Sequence, residues 1–536
     1  MGTGTPRVAY FCMEFGLHEK LHIYAGGLGI LAGDILKAAH DTGQPMVGVG
    51  ILWRQDYTEQ FIDEYDRPYD SYHEYRYDFL EDTGVIVTVP IRDEQVRVKV
   101  WKCTAFGNAP LYLLDTYLPD NLAWNLTWNL TGQLYGWFEE ERIAQEMILG
   151  IGGVRALQAL GIDVDVYHFN DSHAVFAGVE LIRQQMTKDV PFTDALLSVK
   201  QHIVFTTHTP VPAGNEAHSY RILEYMNSYD GLSCDQIVQL GGDPFSMTAA
   251  GLRLSKRANA VSQLHGHTAR EMWKLVPGGI DILTITNGVH NGTWQDDSIR
   301  QAHSSEGDVW AAHSALKRAM IDDIERRNGV RLDENVLTIG FARRATPYKR
   351  SDLIFSNREI IGDLLRNHRV QIVLSGKAHP NDLAGKTTIT NLIHIAREYP
   401  GSVVFVQGYD MAIGKMLTRG CDVWLNNPVR PMEASGTSGM KAAMNGVLNL
   451  STLDGWWPEA CDHGVNGWQF GGGYEGGDCD SVDVASLYQV LMGDVIPTYE
   501  NRREAWVSMM HASIEMAQWR FSAARMLQDY YQRMYA

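Results

Sequence analysis

The chain has 536 residues, 45% hydrophobic and 21% charged, an ordinary globular mix that is too long for a single core. A formal net charge of −18 argues against a general binder of nucleic acid or anionic membrane, while leaving room for a local basic pocket. No segment is long and apolar enough to span a bilayer, and MGTGTPRVAYF lacks the apolar stretch of a signal peptide. The six cysteines (Cys12, Cys103, Cys234, Cys421, Cys461, Cys479) form no CxxC pair, as expected for reduced thiols in a cytoplasmic protein. Nor do His18, His22 and His40 show metal-ligand spacing, so a metal-free protein is the expectation.

In chain order, PRVAYFCMEFG predicts a strand, GGLGILAGDILKAAHDTG a loop opening a helix, and QPMVGVGILW a second strand. EERIAQEMILGIGGVRALQALG has helical spacing, and VDVYHFND and QHIVFTTHTP predict further strands. HSSEGDVWAAHSALKRAMIDDIERRNGVRLDEN would carry the chain from one unit to the next. A second series of β-rich runs follows: NVLTIGFARR, RVQIVLSGKA, SVVFVQGYD, CDVWLNN and GVLNLST. QFGGGYEGGD, residues 469–478, predicts a surface loop or lid. Alternation of this kind predicts parallel sheets covered by helices, hence two doubly wound α/β domains facing a cleft. The expected boundaries are 1–325, 326–515, and a C-terminal helix 516–536 able to cross back to the first domain.

Ligands of open α/β sheets bind beyond the C-terminal strand ends, where the polar motifs of this chain fall. Gly26, Gly27 and Leu28 of GGLG precede a helix whose N-terminus suits an oxyanion, although tight turns need glycine anyway. ARRATPYKR crowds Arg343, Arg344, Lys349 and Arg350 into a short stretch suited to phosphate, and equally to a solvated basic loop. Asn170 and Asp171 in FNDSH, His208 in FTTHTPVPAG and Asn287 in TITNGVHNGTW offer polar groups of the kind that bind sugar hydroxyls. In EASGTSGMK, residues 433–441, small residues precede Lys441 in a mildly apolar setting. A desolvated lysine loses its proton more readily, as Schiff-base chemistry requires. The same stretch also reads as a loop opening a helix, with Lys441 solvated on its surface.

Together these segments resemble the α-glucan phosphorylases: the glycogen, starch and maltodextrin phosphorylases that use pyridoxal 5′-phosphate. The resemblance runs from VAYFCMEFGLHEKLHIYAGGLG to EASGTSGMKAAMNGVLNLSTLDGWW and covers nearly the whole chain. It implies two Rossmann-like domains in the GT-B glycosyltransferase architecture. The implied reaction transfers a terminal α-glucosyl unit to inorganic phosphate with retention, giving glucose 1-phosphate. By this resemblance Lys441 carries the cofactor, Gly436, Thr437 and Ser438 form the loop around its phosphate, and Tyr409, Trp294 and Arg343 are its neighbours. Arg344 and Lys349 clamp the substrate phosphate, with backbone donors from Gly26, Gly27 and Leu28. Glu433, Ser435, His208, Asn287 and Asp171 contact the sugar.

The implied partners are an α-glucan or oligosaccharide, phosphate and glucose 1-phosphate, with a homodimer left open. About two dozen residues precede GGLG where family members carry a substantial N-terminal region, so no counterpart of the animal enzymes' phosphorylation segment is expected. Trp124, Trp128 and Trp137 lie in an aromatic stretch that suits either the acceptor side of a sugar site or a packing surface. A small non-glucan acceptor and a glycogen-synthase-type nucleotide-sugar transferase are the alternatives. The latter needs no counterpart of Lys441.

Overall fold

The computed structural model describes residues 4–55, 57–121, 130–211, 214–305, 307–473 and 478–536. Two compact units emerge: Met1–Tyr57, Tyr72–Thr286 and Met526–Ala536 make the first, and Thr58–Ser71 with Asn287–Arg525 the second.

Strands such as VAYF in the first unit and LTIGFA in the second are buried along their whole length. Unbroken apolar runs of this sort suit a sheet covered on both faces, where an alternating pattern would place polar groups in the core. In the first unit a nine-stranded sheet runs, in spatial order, Ile282–Thr284, Arg257–Ala260, Ile203–Thr206, Val166–Asn170, Val8–Phe11, Met46–Ile51, Leu111–Asp115, Glu94–Cys103 and Glu81–Ile91. All pairings are parallel except the last two, where the Glu81–Cys103 hairpin adds an antiparallel edge that the sequence reading had not identified. The order reverses between Val8–Phe11 and Val166–Asn170, which pair in parallel.

The second unit holds a six-stranded parallel sheet in the order Val403–Val406, Val370–Ser375, Leu337–Ala342, Val423–Asn426, Leu448–Thr452, Gly467–Phe470. Numbered by chain position this is the 3-2-1-4-5-6 order of a doubly wound sheet, with its switch point between Leu337–Ala342 and Val423–Asn426. Each unit therefore presents one crevice at the carboxyl ends of two adjacent strands, and the expected α/β class with parallel sheets holds.

Three features differ from the sequence reading. Gln469 and Phe470 end a strand rather than open a loop, because Trp468 and Phe470 are buried beside the neighbouring strand. The Val309–Asn328 helix is no simple connector: Met320, Ile321 and Ile324 are buried in one core with Ala342, Val373 and Val404, and Lys317 Nζ bonds to Asp422 Oδ2 at 2.6 Å. The unit boundary accordingly falls at Thr286/Asn287, ahead of the expected 325. Residues 58–71 also belong to the second unit, where the Glu59–Ile62/Pro68–Ser71 ribbon is tied down by Gln60 bonding to both backbone groups of Ala378.

Residues 526–536 complete the first unit. There Tyr535 donates its hydroxyl to His168 Nδ1 at 2.7 Å, while His168 Nε2–H donates to Thr206 Oγ1 at 2.7 Å. Among the described residues no helix is long and apolar enough to cross a membrane.

Candidate active site

The crevice of the second unit collects most of the residues singled out by sequence. Arg343 follows strand Leu337–Ala342 directly, and the one-turn helix Pro347–Lys349 brings Lys349 back to the same place. Both side chains are buried and converge on Glu433: Arg343 Nη2 donates to Glu433 Oε2 at 2.7 Å, and Lys349 Nζ bonds to the same oxygen. Burial by itself would raise the Glu433 pKa, but the charges of Arg343 and Lys349 outweigh it and bring it down to about 2. Glu433 is thus held as a carboxylate. The Glu433 N–H donates to Asp454 Oδ2 at 2.9 Å. Asp454 is pushed up to about 7, first by burial and then by the Glu433 charge.

Beyond Glu433 the chain turns through Ser435 and Gly436 into the Thr437–Met444 helix. Gly436 has φ 82°, a left-handed conformation that penalises any side chain. A Cβ there would also lie 3.4 Å from Arg343 Nη2, so the helix start and the cation cluster are neighbours. Ser438 accepts a hydrogen bond from Trp424 Nε1 at 3.1 Å, which fixes the helix against strand Val423–Asn426. One turn further on, Lys441 is buried with its Nζ 3.6 Å from the centre of the Trp294 ring. Trp294 is itself anchored, its carbonyl accepting from Asn445 Nδ2 at 3.0 Å and Arg419 Nε at 3.2 Å.

Arg343 Nη1 and Ser435 Oγ in this crevice, and Asn287 Oδ1 at the start of the second unit, are buried and have no hydrogen-bond partner among the described residues. Leaving such atoms unpaired costs about 1–3 kcal/mol each, so a polar ligand is the natural complement. A buried lysine against an indole face, a guanidinium with an unused nitrogen and a helix N-terminus fit the phosphate and reactive carbon of pyridoxal phosphate. Tyr409 lies half-buried near Arg343, its hydroxyl pKa raised to about 12 by burial despite the Arg343 charge.

Two members of the basic run do not join the cluster. The Arg344 side chain is exposed. Arg350 turns away and bonds to Asn427 O, Pro428 O, Asp480 and Asp483, a structural clamp on the loop.

The crevice of the first unit holds the remaining predicted residues. Asn170 ends strand Val166–Asn170 and accepts from His208 Nε2–H at 2.6 Å, while its Nδ2 donates to Cys12 Sγ at 3.3 Å across the switch point. Burial, then the neighbouring His265, His168 and His173, drives the His208 pKa down to about 3, so His208 is neutral near pH 7. Asp171 has φ 73° and is pushed up to about 6, chiefly by burial. In the GGLG loop the Ala25 and Gly26 N–H groups both donate to Glu14 Oε2, at 2.6 and 3.0 Å. The donor expected of Gly26 is therefore already engaged by a carboxylate. Gly27 is exposed at the start of the Gly27–Asp41 helix.

Trp137 is 48% exposed and edge-on to Tyr72 at 6.1 Å, whereas Trp124 and Trp128 lie outside the described residues. Glu14 and Asp454 were missed by the sequence reading, although both stand inside quoted motifs. Nothing local marks either as a partner of the glycine loop or of Glu433.

Comparison with known proteins follows the same segments. A model of the carbohydrate phosphorylases matches residues 297–465, which span the cation cluster and Lys441. Maltodextrin phosphorylase of Thermococcus litoralis is 38% identical over 99% of this chain and 70% of its own length. Glycogen phosphorylase of Aquifex aeolicus is 35% identical, covering 99% of this chain and 86% of its own. An uncharacterized protein of Methanocaldococcus jannaschii is 35% identical over 98% of this chain and 99% of its own length. Identity at this level over nearly the whole chain places it in the α-glucan phosphorylase family of carbohydrate phosphorylases.

Proposed function

We propose that the protein is a pyridoxal-phosphate-dependent, retaining α-glucan phosphorylase that moves a terminal α-glucosyl unit between a glucan and inorganic phosphate. The observation that carries this reading is the convergence of buried Arg343, Lys349 and Glu433 beside the helix that bears Lys441. Lys441 would hold the cofactor against Trp294, with Gly436, Thr437, Ser438, Tyr409 and Arg343 around it. When bound, the cofactor supplies a phosphate monoester able to exchange a proton near neutral pH.

Glu433 cannot be the acid that protonates the glycosidic oxygen, because a group with a pKa of about 2 carries no proton at pH 7. Its role is to accept hydrogen bonds from sugar hydroxyls and to aim the two cations. The proton comes from substrate phosphate instead. As the glycosidic C–O bond breaks, phosphate gives its proton to the leaving oxygen and then bonds to the anomeric carbon from the same face. Lys349 and Arg344 hold that phosphate and offset its charge. Ser435 Oγ and Asn287 Oδ1, buried and without a hydrogen-bond partner among the described residues, would receive the sugar, together with Asp171 and the neutral His208. An added Cβ at Gly26 or Gly27 would meet no atom of the described residues within 4 Å, which leaves room for substrate to approach the backbone at Gly27 and Leu28. The facing-domain cleft and the cytoplasmic setting belong to this reading, which the six unpaired cysteines suit.

The test is an absorbance spectrum before and after borohydride, with Lys441→Ala alongside, followed by phosphate-dependent release of glucose 1-phosphate from maltooligosaccharides. A reducible cofactor band that the variant lacks, with phosphorolysis in the wild type alone, is expected. Failure to take up added cofactor would overturn the reading and turn attention to nucleotide-sugar donors.

A further inference from the structure

In the first unit, three side chains distant in sequence meet without a role in the chemistry above. Glu146 lies on the Glu139–Met147 helix, and Glu216 and His218 lie in and next to the short strand Ala217–His218. One donor atom from each falls within 4.8 Å of the other two. We propose that Glu146, Glu216 and His218 form a binding site for one divalent transition-metal ion of the zinc or manganese class.

The hydrogen bonding of the cluster is that of a ligand set. Glu139 Oε1 accepts from His218 Nδ1–H at 3.0 Å, which fixes the tautomer and turns the Nε2 lone pair inward. Metal-binding histidines are characteristically held this way by an outer carboxylate. His218 Nε2, both oxygens of Glu146 and Glu216 Oε2 have no hydrogen-bond partner among the described residues. Glu146 is fully buried and His218 is 4% exposed. Their nearest charged neighbours stand off at 3.4 Å (Arg142 Nε to Glu146 Oε1) and 3.7 Å (His218 Nε2 to Glu146 Oε2), so these buried atoms lack close hydrogen bonds, which is costly. The second oxygen of Glu216 is taken by Arg142 Nε at 2.9 Å, which holds that carboxylate from outside.

With an ion bound, His218 neutral and the carboxylates ionised, Glu139, Glu146 and Glu216 against Arg142 would carry two negative charges, which one divalent ion balances. One nitrogen and two carboxylates suit borderline ions such as zinc or manganese. Three ligands about 2.0–2.2 Å from such an ion stand roughly 3.3–3.8 Å from one another. His218 Nε2 and Glu146 Oε2 are already 3.7 Å apart, and closure by up to about 1 Å at the Glu216 carboxylate completes the site. Glu216, with a side chain 31% exposed, leaves an entry path and an open coordination position.

The experiment is elemental analysis and calorimetric titration of the full chain with Zn²⁺ and Mn²⁺ after chelator dialysis. It is joined by anomalous diffraction from metal-soaked wild-type crystals. One equivalent per chain, a melting temperature raised by the ion, and an anomalous peak among the three side chains are expected. Glu146→Gln and His218→Ala should lose stoichiometric binding, and Glu139→Gln should bind about 10- to 100-fold more weakly. No stoichiometric uptake by the wild type, an anomalous peak elsewhere, or undiminished binding in folded Glu146→Gln would overturn the site. The crystal result decides the matter even where a variant fails to fold.

Discussion

Glu433 shares one carboxylate between two buried cations, so Arg343 and Lys349 keep one positive charge in excess, which under the proposed function would receive a phosphate oxygen. Removing the carboxylate leaves both cations uncompensated. Glu433→Gln is expected to cost about 3–5 kcal/mol in urea unfolding at pH 7, together with most of the phosphorolytic activity. A loss below about 1 kcal/mol would show that the pair is solvated.

The neighbouring Asp454 titrates in the opposite sense. Its folded pKa of about 7 lies above the ordinary value of 3.8, so the folded state binds the extra proton between these limits. The Asp454 contribution is therefore fully present below pH ~4 and is lost as pH rises through ~7. Wild-type stability measured against Asp454→Asn should fall across that window and stay level above it; a gap independent of pH would contradict the assignment. Lys441, Glu433 and Lys349 were legible from the motifs that carry them. Asp454 was not, because its importance comes from burial beside Glu433, which no local pattern records.

The Thr437–Met444 helix begins with a glycine in the left-handed region and ends at Asn445, which ties Lys441 O and Trp294 O together at 2.8 and 3.0 Å. That short element positions the lysine, the indole and the helix N-terminus as one unit. Gly436→Ala is expected to cost about 1–2 kcal/mol in backbone strain alone. It should also press on Arg343 and weaken cofactor retention, read as a faster loss of the bound chromophore on dialysis. Retention equal to wild type would mean that the turn does not couple to the site. The strands of both sheets were readable as apolar runs, while Gly467–Phe470 was hidden by the glycines beside it. Those glycines suggested a loop; burial of Trp468 and Phe470 made a strand.

At the scale of the molecule, the last residues of the chain complete the core of the first unit. Met526, Leu527 and Met534 are buried there, each worth about 1.5–3 kcal/mol, and Tyr535 bonds to His168. Deleting residues 526–536 should therefore lower the melting temperature of the first unit far more than Tyr535→Phe, whose lost hydrogen bond is worth about 1 kcal/mol. Equal effects in differential calorimetry would show that the segment contributes little packing.

The sequence by itself determined the class of fold, the family and the identity of the chemical motifs, since apolar runs and short motifs are local properties of a chain. Tertiary structure alone decided which of four clustered cations meet Glu433, that Arg350 braces a loop, and that the Gly26 N–H is taken by Glu14. It also brought Glu146, Glu216 and His218 together from separate stretches of the first unit. Charge pairing and burial act through space between residues far apart in the chain, and only the folded chain fixes those distances.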